Sequence, residues 1–226
     1  METKEILQGR NALRDDFQPL ADWIQANYEV TPINIYFEVK GENRIPTLEI
    51  WFERDRDLEP FQNKFHTFFK SKHVDAIKEQ FKALTPHNQG SADTDLHAGL
   101  NGKSFPQFDL NELQVEFTAF KPIARISINE QITSDEIESL QKEIDNPVIW
   151  KISRGPSGTT FFLYTDDQVR RFMFTKSHMK WTDMYFELLK KYDEFNYFER
   201  DNFVIYLDSK ENFENNFHGN WFFYYK

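Results

Sequence analysis

A stretch between residues 85 and 107 holds the residues best suited to binding a metal ion. It is rich in Gly, Asn, Asp, Ser and Pro and has no sustained hydrophobic period, which is typical of a loop. Aspartate and histidine alternate within it and offer oxygen and imidazole ligands to Mg²⁺, Mn²⁺ or Zn²⁺. The spacing matches neither a His-Glu-x-x-His zinc motif nor a calcium-binding loop, so the alternative is an ordinary exposed polar loop. The candidate metal ligands are His87, Asp93, Asp95 and His97.

Two glutamates of the first predicted hairpin form a second candidate site. Residues 33–39 and 48–52 alternate between apolar and polar, and pairing Phe37 with Ile50 sets Glu38 opposite Glu49. Like charges directly opposite each other are destabilising, and a buried carboxylate pair is what glycoside hydrolases use as acid and base. The alternatives are that both side chains lie in water, or that the register is displaced by two residues.

The same register places two aromatic rings, Tyr36 and Trp51, opposite each other on the polar side of this hairpin. With Glu38 and Glu49 beside them, the rings would form an apolar spot bordered by carboxylates. Tyrosine and tryptophan are enriched at protein interfaces, and an acidic border attracts a basic partner. The pattern therefore predicts a partner-binding surface made of these four residues, with burial of the rings beneath a helix as the alternative.

Basic side chains gather in the second half of the chain. Residues 168–181 contain no acid, and aromatic residues are interleaved with the cations. Such a run can bind a phosphate or stack against a single-stranded nucleic acid, and the alternative is the solvated side of an alternating strand. The candidate phosphate ligands are Arg154, Arg170, Arg171 and Lys176.

Composition excludes several classes of protein. The 226 residues include no cysteine, which rules out disulfide scaffolds, cysteine-ligated metals and cysteine nucleophiles. The formal net charge of −10 argues against a dedicated nucleic-acid binder. The apolar runs are too short to span a bilayer and the first residues are charged, so we expect a cytoplasmic protein with no membrane association. No motif for a cofactor or a nucleophilic serine is present, and no cofactor is expected.

The elements that must position these residues alternate between helices and hairpins. Helical spacing of apolar residues predicts helices at 17–28, 58–68, 74–84, 134–145 and 181–195. Alternation predicts strands at 33–39, 48–52, 113–119, 124–128, 148–153, 159–165, 168–175, 203–208 and 220–225. The best local signal is Thr133 followed by Glu136, which together predict a capping box.

This order of elements predicts an α+β fold with mainly antiparallel sheets. Four helix–hairpin units are expected, with the helices packed on one face. We expect two halves, 1–108 and 109–226, and the alternative is one continuous domain. The predicted function is non-enzymatic binding of another macromolecule, of the kind performed by acidic immunity proteins or chaperones, with a basic protein as the partner. The alternatives are a metal-dependent hydrolase or nuclease that uses the His87–His97 loop, and a phosphate- or nucleic-acid-binding module that uses Arg154–Lys180.

Overall fold

A computed structural model of the chain describes residues 2–84, 112–155 and 158–226. The protein is mixed α+β, and it divides into two compact units, Met1–Pro122 and Ile123–Lys226. The predicted boundary between residues 108 and 109 lies outside the described residues. The division falls after residue 119 because the strand that ends there completes the sheet of the first unit.

The first unit is built on a three-stranded mixed sheet in the order β1-β2-β3, with β1 antiparallel and β3 parallel to the central strand β2. Its core lies where two helices cover one face of this sheet, with Ile24, Ile50, Phe61 and Ile77 all fully buried. The elements are α1 (Glu2–Leu7), α2 (Gln18–Tyr28), β1 (Asn34–Lys40), β2 (Ile45–Phe52), α3 (Ser71–Leu84) and β3 (Gln114–Ala119).

The second unit repeats this arrangement with a sheet in the order β4-β5-β6, again with one antiparallel and one parallel pair. Phe161 of its central strand packs against the helix at 176–190, whereas the next residue, Phe162, packs against the helices at 210–224. Since neighbouring strand residues face opposite sides, helices cover both faces of this sheet. The elements are α4 (Phe120–Gln131), α5 (Ser134–Ile144), β4 (Ile149–Gly155), β5 (Gly158–Leu163), α6 (Asp166–Phe172), α7 (Lys176–Lys190), β6 (Tyr206–Ser209), α8 (Lys210–Phe217) and α9 (Trp221–Tyr224).

The capping box predicted at Thr133 and Glu136 is confirmed. Thr133 caps α5, its hydroxyl accepting from the backbone N–H of Glu136 at 3.3 Å while that glutamate accepts from the N–H of Thr133 at 2.9 Å. This reciprocal pair satisfies two backbone donors that the helix leaves open.

Four predicted elements are wrong, and the four helix–hairpin units are not confirmed. The prediction of mainly antiparallel sheets is also wrong, because each sheet combines one antiparallel pair with one parallel pair. The predicted strand 124–128 is part of α4, because Ala124 and Ile128 are also spaced one helical turn apart. The predicted strand 168–175 is mostly helix α6, and the predicted strand 220–225 contains α9 in place of a hairpin partner. The predicted helix at 58–68 is a short 3₁₀ turn followed by a loop. In the described chain the hairpins are β1–β2 and β4–β5 only.

The register of the first hairpin is displaced by two residues from the predicted one. Tyr36 is paired with Glu49 and Glu38 with Thr47, so the two glutamates do not face each other directly. A shift of two leaves every side chain on the same face of the sheet, and the alternating pattern therefore cannot reveal it.

Candidate functional site

The predicted partner-binding residues of the first hairpin form a buried polar network. Glu49 accepts from the Tyr36 hydroxyl, from Trp51 Nε1 at 3.1 Å and from the Lys40 ammonium. Lys40 also lies 2.8 Å from the carboxylate of Glu116 on β3. The structure thus brings Tyr36, Glu49 and Trp51 together, and Glu38 joins them through Lys40, whose Nζ lies 3.3 Å from the Glu38 carboxylate.

In these contacts the Lys40 ammonium faces three carboxylates, those of Glu38, Glu49 and Glu116. Burial alone would raise the pKa of Glu49, but the hydrogen bonds from Lys40, Tyr36 and Trp51 lower it overall and keep the carboxylate ionised. Burial and the bond to Glu49 raise the pKa of Tyr36 to about 12, so this phenol stays protonated. A buried carboxylate that already accepts from three donors and stays ionised does not resemble the acid of an acid–base pair.

The exposed aromatic spot that was predicted on this face is absent. Trp51 is only 7% exposed and Glu49 only 6%, while Tyr36 is partly buried and Glu38 alone is exposed. The N–H of the buried tryptophan is satisfied by the buried carboxylate of Glu49. A role of these four residues in binding stays a prediction, but the geometry offers a partner little apolar area here.

The predicted metal ligands His87, Asp93, Asp95 and His97 lie outside the described residues. Within residues 2–84, 112–155 and 158–226, no group of three or more His, Cys, Asp or Glu side chains is placed to hold a metal ion.

Arg154, the first of the predicted phosphate ligands, is already bound within the protein. Its Nη1 donates to the backbone carbonyl of Asn129 at 2.9 Å and to that of Ile132, and lies 3.5 Å from that of Glu130. These carbonyls are at the end of α4, where a helix leaves backbone acceptors unpaired and carries partial negative charge. The guanidinium therefore caps the helix.

The other predicted phosphate ligands lie elsewhere in the unit. Arg154 pairs with Thr159 at the start of β5, whereas Arg170 and Arg171 belong to the helix after the end of that strand. Arg170 is in an ion pair with Asp167, and Lys176 begins α7. The structure therefore does not bring the four cations together as one site.

The turn between α6 and α7 exposes apolar side chains among these cations. Phe174 is 86% exposed, and Met173 and Met179 are 41% and 58% exposed. Arg171, Lys176 and Lys180 are exposed beside them, and no ion pair to these three occurs among the described residues. We call residues 171–180 the Phe174 corner.

The backbone of the Phe174 corner is held in place by side-chain hydrogen bonds. The N–H of Phe174 donates to His178 Nδ1 at 3.2 Å, and the other ring nitrogen, Nε2, lies 3.0 Å from the carbonyl of Ile205. The histidine thus ties the corner to the segment before β6 through its neutral Nε2–H tautomer. Thr175 caps α7 and also donates to the carbonyl of Phe172 at 2.6 Å.

Sequence reasoning included these residues in a basic run with interleaved aromatics, but it did not find the turn because it predicted a strand over residues 168–175. A signal was present: Thr165 and Gln168 form a second capping box, with the N–H of Gln168 donating to Thr165 Oγ1 at 3.2 Å. The spacing Thr-x-x-Gln starts a helix here just as Thr133 and Glu136 do for α5. A helix that ends before Phe174 places that residue in a turn.

No family model matches the chain, and neither the curated proteins nor the solved structures contain one that is similar to it. Among the helices of the described residues, none is long and apolar enough to cross a membrane.

Proposed function

We propose that this chain is a non-enzymatic binding protein that recognises another protein through the Phe174 corner. The observation that carries the proposal is the conformation of Phe174, whose side chain is 86% exposed while its backbone φ is +60°. Both features are unfavourable for folding, and they occur at the same residue.

The left-handed conformation costs a residue with a side chain about 1 kcal/mol or more. Glycine or asparagine adopts it more readily, and neither would leave an aromatic ring in water. A large ring held rigidly outward is the kind of residue that anchors a protein interface, since little entropy is lost when it enters a pocket. The two neighbouring methionines add polarisable, adaptable contact area.

The charge around the Phe174 corner indicates which charge a partner should carry. The expected basic partner depended on an exposed Tyr36–Trp51 pair bordered by glutamates, and Trp51 is buried. Phe174, the most exposed of the large hydrophobic side chains among the described residues, is bordered by Arg171, Lys176 and Lys180. An acidic binding protein of the immunity or chaperone kind, located in the cytoplasm, remains part of the proposal as a class and not as an identity.

The first test asks whether Phe174 serves folding or binding. Asparagine tolerates the left-handed conformation, so Phe174→Asn removes the ring without straining the backbone. We expect its free energy of unfolding in urea to equal that of the wild type or to exceed it by up to about 1 kcal/mol. A loss of more than about 1 kcal/mol would show that the ring stabilises the fold, and the proposal would lose its basis.

The second test reads binding in cells. A photo-crosslinking amino acid at position 179 is expected to yield an adduct of discrete mass, and Phe174→Asn in the same chain should abolish it. Position 143, where Glu143 is exposed on α5, serves as the matched control and should yield no such adduct. Adducts that are the same at both positions, or that persist with Phe174→Asn, would contradict the proposal.

A further inference from the structure

The first unit carries a loop in the place that the Phe174 corner takes in the second. In both units the described elements follow the order of an antiparallel hairpin, a connection, a helix and a strand parallel to the second hairpin strand. The connection before α3 spans residues 59–70, and the one before α7 spans residues 164–175 and contains both α6 and Phe174. We call residues 61–70 the Phe65 loop.

The Phe65 loop exposes two more aromatic rings on a fixed backbone. Phe65 is 80% exposed and Phe68 71% exposed. The loop is closed by a backbone bond from the N–H of Asn63 to the carbonyl of Phe68 at 2.8 Å, and by one from Lys70 to Phe61 at 2.7 Å.

Side chains hold the loop further. The carboxamide oxygen of Asn63 accepts from the N–H groups of Phe65 and Thr67, at 3.2 and 2.9 Å. Phe69 packs on the buried ring of Phe117 with the ring centroids 4.7 Å apart. The exposure of Phe65 and Phe68 is therefore built into an ordered turn.

The charge pattern is also the same in the two units. Residues 60–74 and residues 168–182 contain no acid in a chain that has 37 acidic residues. The first window holds three lysines and two histidines, and the second holds four basic residues and one histidine. Lys64 and Lys72 are exposed beside the Phe65 loop, as Lys176 and Lys180 are beside Phe174.

We infer that the Phe65 loop is a second docking surface of the same chemistry, so that each chain has two sites for acidic protein segments that carry apolar side chains. The inference for the Phe174 corner rests on the proposed function, whereas that for the Phe65 loop rests on its own geometry. Exposed cations attract carboxylates within a Debye length even though the whole chain is acidic, and the rings supply the desolvated contact. A rigid anchor favours a protein partner, because a lipid surface does not require a fixed ring position.

The test uses a synthetic peptide of repeating Glu-Glu-Leu-Phe as the acidic probe and Lys-Lys-Leu-Phe as the basic one. Amide chemical shifts of the isotope-labelled full chain are followed by NMR during titration. We expect the acidic peptide to shift amides of both the Phe65 loop and the Phe174 corner, less so at high salt, and the basic peptide to shift neither.

Substitutions then test which aromatic rings bind the acidic peptide at each site. Replacing Phe65 and Phe68 by serine should weaken binding at the loop about tenfold or more and leave the corner unchanged. Phe174→Asn should do the reverse. The matched control replaces the exposed pair Phe222 and Phe223 by serine and should change neither site. The serine variants should keep the wild-type melting temperature because these side chains are exposed, and Phe174→Asn should keep or raise it.

Each outcome decides something. Shifts at the corner alone overturn the second site and leave the proposed function standing, while shifts at the loop alone do the opposite. Equal response to both peptides, or equal loss in the Phe222 and Phe223 control, shows general stickiness and overturns both. Sedimentation of the chain with phosphatidylserine vesicles, without peptide binding, would assign the rings to a membrane surface instead.

Discussion

Stability measurements can show whether Arg154 serves the fold or binds a ligand. Arg154→Met keeps most of the aliphatic stem but removes the guanidinium that binds the end of α4. A hydrogen bond from a charged donor contributes about 1.5–3 kcal/mol. The carbonyl of Ile132, a residue that is 1% exposed, would then lose a partner, and an unsatisfied buried acceptor costs about 1–3 kcal/mol. These losses overlap, so we expect Arg154→Met to destabilise the second unit by about 2–4 kcal/mol.

The assay is hydrogen exchange read by mass spectrometry across a urea series, since peptides from α4 report on the second unit separately from the first. Arg154→Lys retains the charge but not the planar fork, so it should recover about half of the loss. Arg171→Met is the matched control, because Arg171 is exposed and has no ion pair among the described residues; it should change stability by no more than about 0.5 kcal/mol.

The same stability measurements are repeated in the presence of phosphate. A ligand that binds only the folded state stabilises it by about 2.7 kcal/mol at one hundred times its Kd. If Arg154 serves phosphate, then phosphate protects the wild type and fails to protect Arg154→Met, and the variant alone is destabilised little. We expect no phosphate protection in either chain. A loss below about 1 kcal/mol for Arg154→Met, together with protection of the wild type by phosphate, would refute the capping argument.

Three further predictions concern stability. Thr133→Ala removes the cap of α5 and should lower the free energy of unfolding by about 1 kcal/mol, measured by urea denaturation. Burial raises the pKa of Tyr185 to about 12 from an ordinary 10, so the stability it contributes is complete below pH 10 and is lost as the pH rises to 12. Other tyrosines with a raised pKa, such as Tyr36, lose stability in the same window, so Tyr185→Phe should lose about 3 kcal/mol less than the wild type between pH 10 and 12 in urea denaturation. Gly155→Ala would place a Cβ 2.2 Å from the ring of Tyr225, and the thermal melt should show a marked drop because the ring must leave its place over the sheet.

The sequence was most informative where a local hydrogen bond and a hydrophobic pattern agreed. Helix α5 is an example, since Thr133 and Glu136 set its start and Ile137, Leu140 and Ile144 set its buried face. For α4 the sequence offered a hydrophobic pattern but no capping hydrogen bond. Alternate apolar residues from Ala124 to Ile128 fit a strand as well as a helix, and α4 has no capping motif to decide between them.

Sequence reasoning could not give the network around Glu49 because it depends on register and on a third strand. Glu116 reaches Lys40 only because β3 lies beside β2, and the two residues are 76 positions apart in the chain. Alternation showed which face of the hairpin each side chain takes, and that part was right. Which residues become neighbours across strands depends on the tertiary structure, and a local sequence pattern does not specify it.

The exposed phenylalanines show why the proposed docking surfaces were the hardest part to predict. Helical spacing of Phe61, Phe65 and Phe68 predicted that all three lie on one buried face, yet only Phe61 is buried and the other two are in water. A pattern rule assumes that each large apolar residue is used for the core, and it fails where such a residue is used for something else. Failures of this kind are expected at functional sites, since local rules are broken there in favour of binding. Phe65, Phe68 and Phe174 are thus better evidence of function than the charged and aromatic residues of the first hairpin, which satisfy one another within the fold.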